Sequence, residues 1–209
     1  MKRLNRKGVT LIELLIALVI CGMVAAGIYQ VFIAQSKTYT VQDQVIEVQQ
    51  SVRSAMELLL RDLRMAGYDN DNILSTIAIT SPIANLSDDA ITVNYEYYDK
   101  TLGQYQKHSV QYWRDGGSSS LIRKLTVNDV ARPQETLLEN VENLNFTYGV
   151  DENEDDALHN WVAAESIGIS RVVAVRVTLT ARPVQINPDV QKISPRTLVS
   201  SVALRNITK

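Results

Sequence analysis

From Val9 to Ile28 nearly every position carries an apolar or small uncharged side chain, and between Lys7 and Lys37 the one charged residue is Glu13. A run of 20 residues rising ~1.5 Å per residue matches the ~30 Å hydrocarbon core of a bilayer. Beyond it the apolar positions thin to a stripe. Val41, Val45, Val48, Val52, Ala55, Leu59 and Leu63 recur three and four apart, with Gln, Glu, Ser and Arg between them, the pattern of a helix that lays one face on a sheet. No proline interrupts residues 9–66, Arg61 and Arg64 fall in the last turn, and Gly67 follows as a stop. One helix is therefore predicted over 9–66, ~87 Å long at the standard rise. Gly22 and Gly27 in its apolar half fit either local softening or close helix packing.

After Gly67 the period changes to two. Ile91, Val93, Tyr95 and Tyr97 alternate with polar residues, as in a half-buried strand. His108–Trp113 and Leu121–Leu125 flank Asp115-Gly116-Gly117-Ser118, which predicts a hairpin with a longer loop. Further strands are expected at Val141–Tyr148, with Leu144, Phe146 and Tyr148 on one face, and around Val173, Val175, Val177 and Leu179. A proline-bearing loop from Pro183 to Pro195 precedes a closing strand through Leu198, Ser200, Val202 and Leu204. A long helix followed by an antiparallel sheet domain is an α+β pattern.

Charge and cysteine content narrow the setting. The net charge is −2; removing residues 1–8 takes four of 21 basic side chains and leaves 17 against 23 acids, or −6. With no basic excess, no nucleic acid is expected as a partner. Cys21, the one cysteine, cannot form an intrachain disulfide and reads as a small apolar packing residue. Lys2, Arg3, Arg6 and Lys7 place the start of the chain in the cytoplasm and everything past the span outside it.

A secretory signal would carry a shorter apolar region with a small-residue cleavage site after it; here Gly8 stands before the run. A plain anchor explains the basic flank and the length, but not a carboxylate in the span. Lys7-Gly8-Val9-Thr10-Leu11-Ile12-Glu13 resembles the type IV prepilin leader. The resemblance implies cleavage by a prepilin peptidase between Gly8 and Val9, N-methylation of Val9, and a subunit-registry role for Glu13. That carboxylate would pair with the new amino group of a neighbouring subunit when the helix is buried in a filament. Most members of the family carry Phe where this chain has Val9. Many major pilins bend the helix at a proline that this chain lacks.

Arg61-Asp62-Leu63-Arg64-Met65-Ala66-Gly67-Tyr68 and the closing Ser201-Val202-Ala203-Leu204-Arg205-Asn206 resemble the helix end and the terminus of PilW-type minor pilins. The helix end is also similar to the J-type minor pseudopilins of type II secretion. Arg61, Asp62 and Arg64 equally suit an ordinary charged helix end. Asp151-Glu152-Asn153-Glu154-Asp155-Asp156 offers oxygens at Asp151, Asn153 and Asp155, the start of a calcium loop, with Ala157 as a carbonyl ligand. Asp156 stands where such a loop wants Gly, and Val162 where an EF-hand has Glu; a solvated acidic loop is the alternative. His108 and His159 have no nucleophile context, and Asp115 with Ser118-Ser119-Ser120 is explained by turn composition. Tyr95, Tyr97, Tyr98, Tyr105, Tyr112 and Trp113 suit sheet packing better than an adhesive surface.

The expectation is thus a pilin-like α+β protein in three parts: a leader over 1–8, the helix over 9–66 with its membrane segment at 9–28, and a β-rich head over 67–209. By resemblance it is a non-enzymatic minor pilin that primes or caps pilus assembly. Its partners would be prepilin peptidase, other minor and major pilins through the helix, and the inner-membrane assembly platform. It would cross the inner membrane once, head in the periplasm, and pass to the pilus at the cell surface. A J-type pseudopilin and a permanently anchored periplasmic binding protein are the alternatives.

Overall fold

One helix, α1, runs unbroken from Leu11 to Met65 in a computed structural model that describes residues 8–69, 75, 77–153, 155, 157–183 and 194–207. Leader residues 1–7, Glu154 and Asp156 of the acidic loop, and most of the predicted proline loop (184–193) lie outside the described residues.

The chain divides into two units, Met1–Gln44 and Val45–Lys209, so the division falls inside the helix. In the first unit α1 is long and apolar enough to cross a membrane, and Leu11, Ile12, Ile20 and Phe32 are exposed along it. Cys21 is exposed there too.

Among the described residues, the second unit joins the rest of α1 to ten strands. Val52, Ala55, Leu59 and Leu63 are buried, as the stripe predicts, and Met56, Leu60 and Ala66 join them. Met56 and Leu60 continue from Val52 at intervals of four, so the buried face is about as wide as a globular helix presents to a core. The strands are β1 (Ile83–Ala84), β2 (Ala90–Asp99), β3 (Gln104–Asp115), β4 (Ser120–Val127), β5 (Val130–Ala131), β6 (Glu135–Leu138), β7 (Val141–Asp151), β8 (Asn160–Val162), β9 (Arg171–Ala181) and β10 (Arg196–Ala203).

They form two antiparallel sheets rather than one. The first runs β1-β2-β3-β4-β5 with β6 also on β4; the second runs β10-β9-β7-β8. Backbone bonds stitch the two, from Val141 N–H to the Ser119 carbonyl (2.7 Å) and from Phe146 N–H to the Asp88 carbonyl (2.7 Å). Alternation marks a strand but does not name its neighbours, and strands as short as β1, β5, β6 and β8 are too brief to show a period. The β3–β4 hairpin pairs Asp115 with Ser120, and the Asp115 carboxylate accepts the Ser118 N–H at 2.9 Å, so this acid organises the turn.

A single core holds α1 from Val52 onward, β2, β3, β7 and β9 together through Ile91, Val93, Val110, Phe146, Val177 and Leu179. The aromatic residues divide. Tyr95 and Tyr112 are buried, whereas Tyr97 and Tyr98 are nearly half exposed, and Tyr98 meets Tyr105 across the hairpin with ring centroids 5.0 Å apart. The alternation predicted over β2 is not strict, because Thr92 and Glu96 are buried beside Ile91, Val93 and Tyr95, and Tyr97 is exposed where the strand leaves the core.

Gly149 sits where the β7–β9 register shifts. A Cβ there would collide with Leu158 and reach the Ala174 side chain at 3.0 Å. Gly149→Ala is expected to cost about 1–3 kcal/mol through overpacking, read as a lower urea midpoint with unchanged slope. An unchanged midpoint would mean that Leu158 moves aside freely.

Candidate functional site

Thr10 stands just before α1, and its carbonyl accepts the Leu14 N–H at 3.2 Å. Its own N–H and hydroxyl both donate to Oε2 of Glu13 at 3.0 Å. In return the Glu13 N–H donates to Thr10 Oγ1 at 3.3 Å. This is a capping box: reciprocal side-chain bonds satisfy donors that the first helical turn leaves unpaired. The sequence reading assigned Glu13 a partner in another subunit and missed this local one. The signal was present as T-x-x-E ahead of an apolar run.

Gly8 and Val9 precede the helix and are exposed. A Cβ on Gly8 would meet nothing within 4 Å, so the fold itself places no demand for glycine there.

At the other end of α1 the charged run is not a simple solvated helix end. Asp62 is buried. Its Oδ2 accepts the Tyr112 hydroxyl at 2.7 Å and Arg123 through Nε at 3.2 Å and Nη2 at 3.1 Å. Arg123 also reaches Glu135 at 3.4 Å, while Arg61 touches the other Asp62 oxygen at 3.4 Å with its own side chain largely in solvent. Burial, reinforced by the Asp62 charge, pushes the Tyr95 hydroxyl up to about 12 and Tyr112 higher still. Tyr112 therefore remains a protonated donor to Asp62 at any physiological pH. A buried carboxylate needs such partners, and together they clamp the helix end to β3 and β4.

The helix stop closes on the C-terminal motif. Gly67 takes φ +73°, the left-handed cap that glycine adopts without strain. The Asn206 side-chain amide donates to the carbonyls of Arg64 and Ala66, both at 3.3 Å. The two stretches on which the PilW resemblance rests thus meet in space, with Leu204 buried beneath them.

In the acidic loop the structure gathers Asp151, Asp155 and His159, each offering a ligand atom within 4.8 Å of the others. The His159 nitrogens lie 3.5 Å from each carboxylate. Asp151 is already engaged: Oδ1 accepts the N–H groups of Asn153 (3.1 Å) and Asp155 (3.3 Å), and Oδ2 accepts Arg171 at 3.1 Å. Asn153 turns its amide toward His159 at 3.3 Å. Ala157 donates its N–H to Asp155 Oδ1 at 3.0 Å. Calcium takes six to eight oxygens. A guanidinium on Asp151 and an imidazole between the carboxylates make this donor set a poor fit.

Two family models match the chain. The Type IV Pilus-assembly protein W model covers residues 107–203, from within β3 to the end of β10. The prokaryotic N-terminal methylation motif covers residues 3–29, which include Gly8, Val9, the capping box and the apolar run. No curated protein matches the chain. The methylation motif on the exposed apolar helix and the assembly-protein match, which takes in strands of both sheets, make this chain similar to type IV pilin-like minor pilins at both ends.

Proposed function

We propose that this protein is a non-enzymatic minor pilin that helps prime or cap pilus assembly after cleavage between Gly8 and Val9. The observation that carries the reading is the ordered start of α1. Glu13, the one charge in the apolar segment, is held on Thr10 one residue from the expected new terminus. Cleavage gives Val9 a free amino group, to be methylated. When filament packing excludes water, the Glu13 carboxylate of one subunit pairs with that amine on its neighbour, because an unpaired buried charge is costly. Before assembly the Thr10 donors serve the carboxylate.

The basic residues before Gly8 keep that end in the cytoplasm and leave the head in the periplasm. The partners are then prepilin peptidase at Gly8–Val9, other pilins along the apolar helix, and the assembly platform at the inner membrane. Co-expressed with an active prepilin peptidase, the protein is expected to show an N-terminal mass beginning at Val9 and carrying one methyl group. An intact Met1 start would reduce it to a simple anchor.

For the acidic loop we infer closure by Arg171 rather than by calcium. Millimolar calcium is expected to leave the melting temperature of the full chain in detergent unchanged. A rise of several degrees, lost in Asp155→Asn, would restore a calcium site at Asp151, Asn153, Asp155 and Ala157.

A further inference from the structure

Where the ends of the two sheets meet, Arg114 at the end of β3, Ser119 of the following turn, Asn140 before β7 and Arg182 after β9 line a cleft of about 500 Å³. That volume lies within the range of small-ligand sites, roughly 300–1,000 Å³. Arg114 is anchored, its Nε donating to the Val141 carbonyl at 2.9 Å, so the guanidinium plane is fixed. Among the described residues its two terminal nitrogens have no partner. Arg182 is held by Glu142 at 2.5 Å, and its N–H donates to the Asn140 carbonyl at 3.0 Å. Ser119 and Asn140 both hold left-handed backbone, at φ +50° and +54°, a conformation that costs energy for residues other than glycine. It sets a hydroxyl and an amide on the same cleft as the guanidinium.

We propose that this cleft binds a carboxylate carried on a short aliphatic stem. A guanidinium fork with its plane already fixed matches the two oxygens of a carboxylate. The two arginines and Glu142 leave a single net positive charge, which suits a monoanion better than a doubly charged phosphate. Pro183 supplies apolar wall for the stem. The carboxylate belongs either to a neighbouring subunit, as a side chain or terminus, or to a free small acid. The proposal does not rest on the assembly role, since the cleft belongs to the head and not to the apolar helix.

The test is an NMR titration of the full chain in detergent micelles with sodium propionate, following the amides of Ser119 and Asn140. Sodium chloride at equal ionic strength and inorganic phosphate serve as comparisons. The expected result is a saturable shift with propionate, weakened about tenfold in Arg114→Gln and strengthened in Glu142→Gln, which removes the competing carboxylate. Equal shifts with chloride, or tighter binding of phosphate, would overturn the proposal. If Arg114→Gln does not fold, Glu142→Gln decides alone, and unchanged affinity there overturns it. In pilus-forming cells, a cross-link from position 119 to a neighbouring pilin that disappears in Arg114→Gln assigns the carboxylate to that subunit. Absence of the cross-link in the parent protein, with propionate still binding, assigns it to a free acid.

Discussion

Asp62→Ala is expected to destabilise the head by about 3 kcal/mol, the lower end for breaking a buried ion pair. The lower end applies because Arg123 retains Glu135, whose side chain is largely solvated. For a unit of this size the loss corresponds to a fall of about 6–12 °C in melting temperature. The cost comes less from the missing attraction than from what is left behind: the Tyr112 hydroxyl and Arg123, whose side chain is only 11% exposed. Adding Arg123→Met to Asp62→Ala should therefore recover part of the loss, since an apolar side chain of similar length leaves no orphaned charge. Tyr112→Phe should cost less, about 1–2 kcal/mol, because it removes the hydroxyl's bonds to Asp62 and from Arg123 but leaves those two charges paired with each other. Thermal unfolding of these three variants beside the parent measures this directly. An Asp62→Ala head as stable as the parent would mean that water replaces the clamp.

The second large effect is expected at Glu13. Glu13→Ala should leave the protein inserted in the membrane yet sharply reduce its recovery in sheared fibres. Two roles converge on this carboxylate, the capping of its own helix and the proposed pairing with a neighbour's amine, and simple truncation removes both. Glu13→Gln separates them, because the amide oxygen can still accept the Thr10 donors but carries no charge. Thr10→Ala is the converse, losing the hydroxyl of the box while keeping the charge. If charge pairing governs assembly, Glu13→Gln behaves like Glu13→Ala and Thr10→Ala assembles. Normal incorporation of Glu13→Gln would sink the pairing and leave the capping box as the reason for the residue.

These two carboxylates also mark how far the sequence could be read. The helix predicted over 9–66 is found from Leu11 to Met65, because periodicity, the absence of proline and a glycine stop are local signals. The six longer strands, β2, β3, β4, β7, β9 and β10, lie where the sequence pattern placed them. The Thr10–Glu13 box is equally local, a T-x-x-E spacing of three residues ahead of an apolar run. Asp62 was not legible. Its partners Tyr112 and Arg123 lie 50 and 61 residues further along the chain, and an R-D-L-R stretch looks the same whether it faces water or a core. The acidic loop has the same limitation: its oxygens are visible in the sequence, but the Arg171 that occupies one of them, 20 residues on, is not.

The sequence by itself determined the membrane-length apolar run, the leader motif around Gly8 and Val9, the single long helix, and the succession of strands behind it. All of these follow from side-chain periodicity and short spacings, which the chain carries whatever it packs against. Only the tertiary structure decided that the strands form two sheets and that Asn206 closes the helix end begun at Arg61. The same holds for which acids are buried and paired, and for the cleft that Arg114 and Arg182 share. Those outcomes depend on desolvation, and the cost of burying a charge is set by groups that only folding brings within hydrogen-bond reach.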